Sequence, residues 1–182
     1  MTVLVLEGPD GGGKSTLLQA IKDADMNLET LHPGKPPTDY MSLLEMLNSQ
    51  IQVPKQAIRV YDRLTCISEW VYRPFRIDPT IDVVNEQGVY SSLLESQMVI
   101  GAHMNWVIIY CRPDTEVLLS QSHLFNENDT DDTIRVVQEH AKEIIYTYDA
   151  LMVRLERFGF KVVRFDYINH DMDELIKSIM EV

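Results

Sequence analysis

Gly8-Pro9-Asp10-Gly11-Gly12-Gly13-Lys14-Ser15-Thr16 decides how the chain is read. The stretch fits G-x-x-x-x-G-K-[ST], the pattern of a phosphate-binding loop. Before it stands Val3-Leu4-Val5-Leu6, an apolar run too short for a helix and closed by Gly and Pro, which predicts a buried strand. After it comes Leu17-Leu18-Gln19-Ala20-Ile21, with helical spacing and good helix formers. Strand, glycine turn and helix are the context in which this motif carries chemistry. Gly8, Gly11, Gly12 and Gly13 let backbone N–H groups turn toward phosphate oxygens where a Cβ would stand in the way. The positive end of the following helix points at the same anion. Lys14 reaches the terminal phosphates, and the Ser15 hydroxyl, with Thr16 beside it, is placed to ligate Mg²⁺.

Outward from this loop the chain alternates strands and helices. Ala57-Ile58-Arg59-Val60-Tyr61 reads as a strand that ends in Asp62-Arg63, and Leu64 to Tyr72 reads as a helix stopped by Pro74. Glu29-Thr30-Leu31-His32 is a weak strand, followed by a loop dictated by Pro33, Gly34, Pro36 and Pro37. Thr38-Asp39 caps a helix with Met41, Leu44, Met46 and Leu47 roughly on one face. Val83 to Ile100 reads as mostly helical, with Gly88 as its weak point. Asn105 to Cys111 is the strongest strand, β-branched and nearly continuous, as expected of a strand covered on both faces. A short helix opened by Pro113-Asp114 runs through Leu119, and the acidic stretch Ser120 to Asp132 reads as a mobile surface segment. Ile134, Val137, Ala141, Ile144, Tyr148, Leu151, Leu155 and Phe158 mark a long amphipathic helix that Gly159 ends. Lys161 to Phe165 is the last strand, and Asp171 with Glu174 forms a capping box for a final helix. The alternation implies a parallel sheet with helices on both faces, whose ligands lie at the C-terminal strand edge.

Composition sets limits on function. The 182 residues suit one domain, 1–182, and a hydrophobic content of 45% with 24% charged residues is that of an ordinary globular protein. No run approaches the ~18 apolar residues of a membrane span, and the sequence passes directly into a strand with no basic-then-apolar leader. Cys66 and Cys111 are the only cysteines and show no metal spacing, so two free thiols in a reducing cytoplasm are expected. A net charge of −12 without a basic stripe disfavours a nucleic-acid polymer as partner but leaves small phosphorylated substrates open. A homodimer is left open.

Three groups of residues jointly resemble a family. Glu7 to Thr16 is similar to the E-G-x-D-G-x-G-K-S-T form of the loop in thymidylate kinases, and Asp62-Arg63 after a strand is similar to their D-R pair. Asp62, Arg63, Ser68, Glu69, Val71 and Tyr72 resemble the D-R-x-x-x-x-S-E-x-V-Y pattern of small related phage and bacterial kinases. The resemblance covers most of the chain. It implies a three-layer P-loop NTPase-type α/β fold with a five-stranded parallel sheet. It also implies ATP- and Mg²⁺-dependent phosphorylation of a deoxynucleoside monophosphate, with dTMP or a related pyrimidine favoured. Gly8, Asp10, Gly11, Gly12, Gly13, Lys14, Ser15 and Thr16 would then hold ATP.

Of the other candidate residues, Asp62 can hold Mg²⁺ or its waters, and Arg63 can clamp an acceptor phosphate. Asp10 resembles the family's acceptor-sugar contact. Trp70, Tyr72 and Phe75 are equally readable as base-stacking or core residues, while Tyr148 reads first as core, and His32 and Lys35 as solvated loop. One departure stands out. Thymidylate kinases carry a catalytic arginine in the loop or in a lid after the fourth strand. Here Gly11 and Gly12 occupy the loop position, and the lid at about 120–132 contains neither Lys nor Arg. Arg76 or Arg73 is the first choice to replace that charge, with Arg135 and Arg112 behind. A nucleoside acceptor, a hydroxyl on a modified base in DNA, or nucleotide binding with weak catalysis are the alternatives.

Overall fold

The computed structural model describes residues 2–24, 28–34, 40–50, 58–75, 92, 95–104, 106–121 and 131–180. The elements in order are β1 (Thr2–Glu7), α1 (Lys14–Ala24), β2 (Glu29–Leu31), α2 (Tyr40–Gln50), β3 (Ile58–Asp62) and α3 (Thr65–Tyr72). A 3₁₀ turn, Arg73–Phe75, follows α3, and residues 95–103 form α4. Then come β4 (Val107–Cys111), α5 (Thr115–Gln121), α6 (Asp131–Phe158), β5 (Lys161–Phe165) and α7 (Met172–Met180). Lys35, Arg76, Gly88 and the body of the expected lid, 122–130, lie outside the described residues. Helix α5 takes in Ser120 and Gln121, which the sequence assigned to that lid.

The sheet has five parallel strands in the order β2-β3-β1-β4-β5. β1 is central, flanked on its two edges by strands that follow it in the chain: Leu6 registers with Asp62 of β3, and Glu7 with Tyr110 of β4. The strand run quoted above therefore ends with the tips of β3 and β4 on either side of it. Strand periodicity divides the core in two. Val3, Val5, Tyr61, Ile108 and Tyr110 pack toward α3 and α6, with Leu47 of α2 and Met98 of α4 in the same cluster. Leu4, Leu6, Val60, Ile109 and Phe165 pack toward Leu17 and Ile21 of α1 and Ile176 and Ile179 of α7. Helices thus cover both faces, and near-continuous apolar strands such as β4, buried at every position, are the consequence.

Two local features set the site. Helix α6 carries non-helical backbone at His140 (φ −126°, ψ 21°), where the His140 ring stacks on Phe75 at 4.9 Å between centroids. At the end of β3, Arg63 adopts φ 69°, a left-handed turn that costs a non-glycine residue on the order of 1–3 kcal/mol. Its N–H still donates to the Leu6 carbonyl at 3.1 Å, so the ladder to β1 closes before the chain swings into α3.

Candidate active site

The loop after β1 is shaped by the close approach of β4. A Cβ at Gly8 would lie 2.3 Å from the Cys111 carbonyl oxygen, and one at Gly12 would lie 2.7 Å from the same atom. Only hydrogen fits there. Gly11 and Gly13 take positive φ values of 77° and 85°, which bend the loop back over the start of α1. Ser15 and Thr16 sit exposed in the first turn of that helix. Lys14 is buried, and its ammonium donates to the carbonyl oxygens of Gly8 at 2.8 Å and Pro9 at 2.6 Å. Burial and the neighbouring Arg63 cation pull the Lys14 pKa down to about 8, against the raising effect of Asp10, Cys111 and Glu7.

The turn at Arg63 aims its guanidinium across the mouth of the loop. It donates to Asp10 Oδ1 at 2.5 Å, to the Tyr148 hydroxyl at 3.0 Å and to the Gly8 carbonyl at 3.3 Å. It also lies over the Tyr72 ring, 5.4 Å from the centroid. The Tyr72 hydroxyl donates to the second Asp10 oxygen at 2.9 Å. Partial burial pushes the Asp10 carboxyl up, but Arg63 first, then Lys14 and the Tyr72 hydroxyl, hold it below the usual carboxylate range. Beneath this layer is a second one. Tyr148 donates to Glu7 at 3.1 Å, and the other Glu7 oxygen accepts from the Leu64 N–H at 2.6 Å. Glu7 has no exposure, and desolvation raises its pKa despite Arg63, the Leu64 N–H and Lys14.

The expected site residues fall into three groups. Gly8, Asp10, Gly11, Gly12, Gly13, Lys14, Arg63 and Tyr72 are brought together at the C-terminal edge of the sheet. Asp62 lies beside them, and its carboxylate meets His32 Nδ1 at 3.1 Å, so His32 is exposed yet not a free loop residue. Trp70 is elsewhere. The Arg154 guanidinium sits over its ring at 4.9 Å, and the two border an outer groove of about 350 Å³ with Tyr146, Thr147, Ala150 and Leu151. The physical reason is helical phase: Tyr72 and Ser68 are four residues apart and share a face, while Trp70 is half a turn away. Phe75 packs on His140 of α6.

Sequence reading missed Glu7 as a hub and undervalued Tyr148, which is fully buried, as core residues are, but spends its hydroxyl on the site. For Glu7 a signal existed: it has the parity of Val3 and Val5, so its carboxylate had to enter the core face and find donors there. Among the replacement arginines, Arg112 is engaged by both oxygens of Asp149 at 2.9–3.0 Å and by Thr115, and Arg135 pairs with Glu139 one turn on. Arg73 is half-buried in the 3₁₀ turn beside Tyr72.

The donors offered to a metal are the Ser15 hydroxyl and the Asp62 carboxylate, hard oxygens of the kind Mg²⁺ takes. No cluster of three or more His, Cys, Asp or Glu able to cage a metal occurs among the described residues.

Fold and loop together define an α/β protein with a five-stranded parallel sheet and a charged, buried cluster beside the Gly8–Thr16 loop. Compared with solved structures, 99% of the chain is similar to 94% of YorR from Bacillus subtilis in complex with phosphorylated GDP, at 19% identity and a TM-score of 0.64. It is similar over 99% of its length to 98% of deoxyadenosine kinase from M. mycoides with bound dATP, at 16% identity and a TM-score of 0.62. Shikimate kinase from Acinetobacter baumannii, in complex with shikimate, matches over 100% of this chain and 92% of its own, at 12% identity and a TM-score of 0.55. No protein-family model and no curated protein matches the sequence. No described helix is long and apolar enough to cross a membrane.

Proposed function

We propose that the protein is a nucleotide-dependent phosphotransferase. It moves the terminal phosphoryl group of ATP to the monophosphate of a deoxynucleotide, with dTMP or a related pyrimidine as the favoured acceptor. The observation that carries this reading is the Arg63 guanidinium, held by Asp10 and Tyr148 at the rim of the Lys14 loop. A planar, permanently charged group fixed there matches an acceptor phosphate in two-point fashion. Asp10 and the Tyr72 hydroxyl, next to it, offer hydrogen bonds to the acceptor sugar.

Phosphoryl transfer asks for positioning and charge neutralisation rather than covalent chemistry. Lys14 exchanges its two loop carbonyls for the donor phosphates and meets the charge that develops between donor and acceptor. Glu7 and Tyr148 fix the angle of Arg63 from below. Ser15 and Asp62 would hold Mg²⁺, which when bound neutralises donor phosphate oxygens. The charge missing from the lid falls to Arg76 or Arg73, which follow directly on the helix that carries Tyr72. Single alanine changes at 73, 76, 112 and 135 distinguish them: the contributing arginine shows a fall in kcat of roughly 10³-fold with little change in ATP affinity.

A second reading is favoured by one contact. Because Asp10 already neutralises much of the Arg63 charge, the same pocket also suits an uncharged nucleoside, whose hydroxyl Asp62 would deprotonate. ADP release measured over a panel of nucleosides and monophosphates separates the two. For the monophosphate reading, Arg63→Ala raises the acceptor KM sharply and lowers kcat. Turnover on nucleosides alone, with the acceptor KM unmoved by Arg63→Ala, replaces the first reading with the second.

A further inference from the structure

We propose that Gln50, at the end of α2, is a positioning residue for Arg63: its side-chain amide clamps Thr65, two residues along, and so ties the aim of the guanidinium to the place of α2. The inference rests on the reading of Arg63 as the acceptor-phosphate clamp. It starts from a deficit in α3. Leu64 stands at the N-cap of that helix with no side-chain oxygen to offer the free N–H groups of the first turn. Groups from β1 and α2 take over. Arg63, in its left-handed turn, donates its N–H to the Leu6 carbonyl at 3.1 Å, Leu64 to Glu7 Oε1 at 2.6 Å and Thr65 to Gln50 Oε1 at 3.3 Å. Three consecutive N–H groups are therefore captured from outside the helix. A positive φ in a non-glycine residue persists only where its surroundings over-determine it. Two of the three acceptors belong to β1, and the third, Gln50, brings in α2.

The pair is built as a two-way clamp. Gln50 Nε2 donates to the Thr65 hydroxyl at 2.7 Å, while Oε1 accepts from the Thr65 N–H. That N–H can only donate, which fixes the orientation of the amide. The Thr65 hydroxyl keeps its own proton for Met46 Sδ, 3.4 Å away and one turn back on α2. Both residues are buried, so water does not stand in for a group that is lost. The far side of Gln50 is anchored as well. Its carbonyl, one of the orphan acceptors at the end of α2, accepts from the Tyr61 hydroxyl at 2.5 Å. That hydroxyl accepts from Arg59 at 3.1 Å, and Arg59 pairs with Glu29 of β2 at 2.9 Å. A chain of polar contacts thus runs from the edge strand β2 through β3 and the end of α2 to the turn that aims Arg63. Apolar residues of the same shape would hold α2 as firmly, but they would not capture the Thr65 N–H. What the amide adds is geometry at Arg63.

Steady-state ADP release by the intact chain, with ATP and a deoxynucleoside monophosphate, dTMP first, tests this. Gln50→Met keeps the length of the side chain and drops both polar atoms. It should lower kcat/KM for the monophosphate by roughly 10- to 100-fold, the scale of a misplacement of about 1 Å, with the KM for ATP unchanged. Thr65→Val should do the same, and Thr65→Ser, which keeps the hydroxyl, should recover most of the rate. Should Gln50→Met fail to fold, Thr65→Val against Thr65→Ser makes the same comparison. Ile176→Ala, destabilised on the other face of the sheet, controls for lost stability and should keep the parent's kinetics. The decisive readout is the combination with Arg63→Ala. A residue that acts through Arg63 adds nothing once the guanidinium is gone, so Gln50→Met with Arg63→Ala should match Arg63→Ala alone. Full additivity in the combined variant overturns the proposal and leaves the acceptor reading standing. So do parent-like kinetics in both Gln50→Met and Thr65→Val beside a damaged Arg63→Ala. An Arg63→Ala variant that matches the parent, or a parent that turns over nucleosides only, overturns the acceptor reading and the proposal with it.

Discussion

Lys14 and Glu7 show how single residues trade stability for a working site. The Lys14 ammonium is buried and, among the described residues, bonded to the loop carbonyls of Gly8 and Pro9. Lys14→Ala leaves the two cores untouched and should reduce phosphoryl transfer by on the order of 10²-fold or more, the usual loss when a charge-stabilising group is removed from a reacting centre. Steady-state ADP release, with circular dichroism as the check on folding, measures it, and near-normal turnover would refute the assigned role. Glu7 behaves differently. Desolvation raises its native pKa above the ordinary glutamate value. Between those two values the folded chain keeps a proton that the unfolded chain has lost. Stability therefore falls as pH rises through that window and levels off above it. Glu7→Gln keeps an acceptor for the Leu64 N–H and removes the charge. Its stability relative to the parent should improve as pH rises above the ordinary glutamate pKa and level off once the raised native pKa is passed. Urea unfolding of both proteins across that range is the measurement, and a difference independent of pH would mean that Glu7 is not the titrating group.

At the scale of elements, the turn between β1 and α1 is fixed by what stands next to it. Gly8→Ala drives a Cβ into the backbone carbonyl of Cys111, which cannot move without breaking β4 from its neighbours. Overpacking of that kind costs about 1–3 kcal/mol, and nucleotide binding should be lost with it. Gly34→Ala is the control: φ is +74° there but nothing lies within 4 Å, so only backbone strain of about 1–2 kcal/mol is expected and nucleotide binding is retained. Equal costs and equal binding in the two variants would remove the packing argument. The same elements show what sequence could and could not reveal. Four strands were readable, because short apolar, β-branched runs bounded by turn residues have few other structures open to them, while Glu29–Leu31, with one β-branched residue, read only as a weak strand. The glycine loop was readable because its chemistry is local. The bond from Tyr148 to Glu7 was not, since it joins residues 141 positions apart and depends on how α6 lies on the sheet. For Trp70 the sequence left base stacking and core equally open, because aromatic content was weighed but the phase of α3 was not.

In the whole molecule the two faces of the sheet have unequal relations to function. The core toward α3 and α6 carries Tyr72 and Tyr148, which together with Glu7 and the loop residue Asp10 orient Arg63. The core toward α1 and α7 supports the sheet and the P-loop helix. The same truncation on each face should therefore give the same thermodynamic loss with different kinetics. Ile144 on α6 is 2% exposed and lies one turn before Tyr148, and Ile176 on α7 is 8% exposed and lies on the far face. Ile→Ala at either site should cost about 2–5 kcal/mol, depending on how far the cavity collapses. In a chain of this length that lowers Tm by roughly 2–4 °C per kcal/mol. For Ile176→Ala, kcat and KM measured well below the transition should match the parent. For Ile144→Ala, the relaxed Tyr148 no longer holds Arg63 in register, and kcat should fall by up to about 10²-fold, the scale expected for a misplacement near 1 Å. Acceptor selectivity provides the discriminating detail: a reoriented Arg63 should weaken discrimination between a monophosphate and its nucleoside, while a merely unstable protein would keep that ratio. Parallel kinetic losses in the two variants, or an unchanged ratio in Ile144→Ala, would show that the site does not depend on the α6 core.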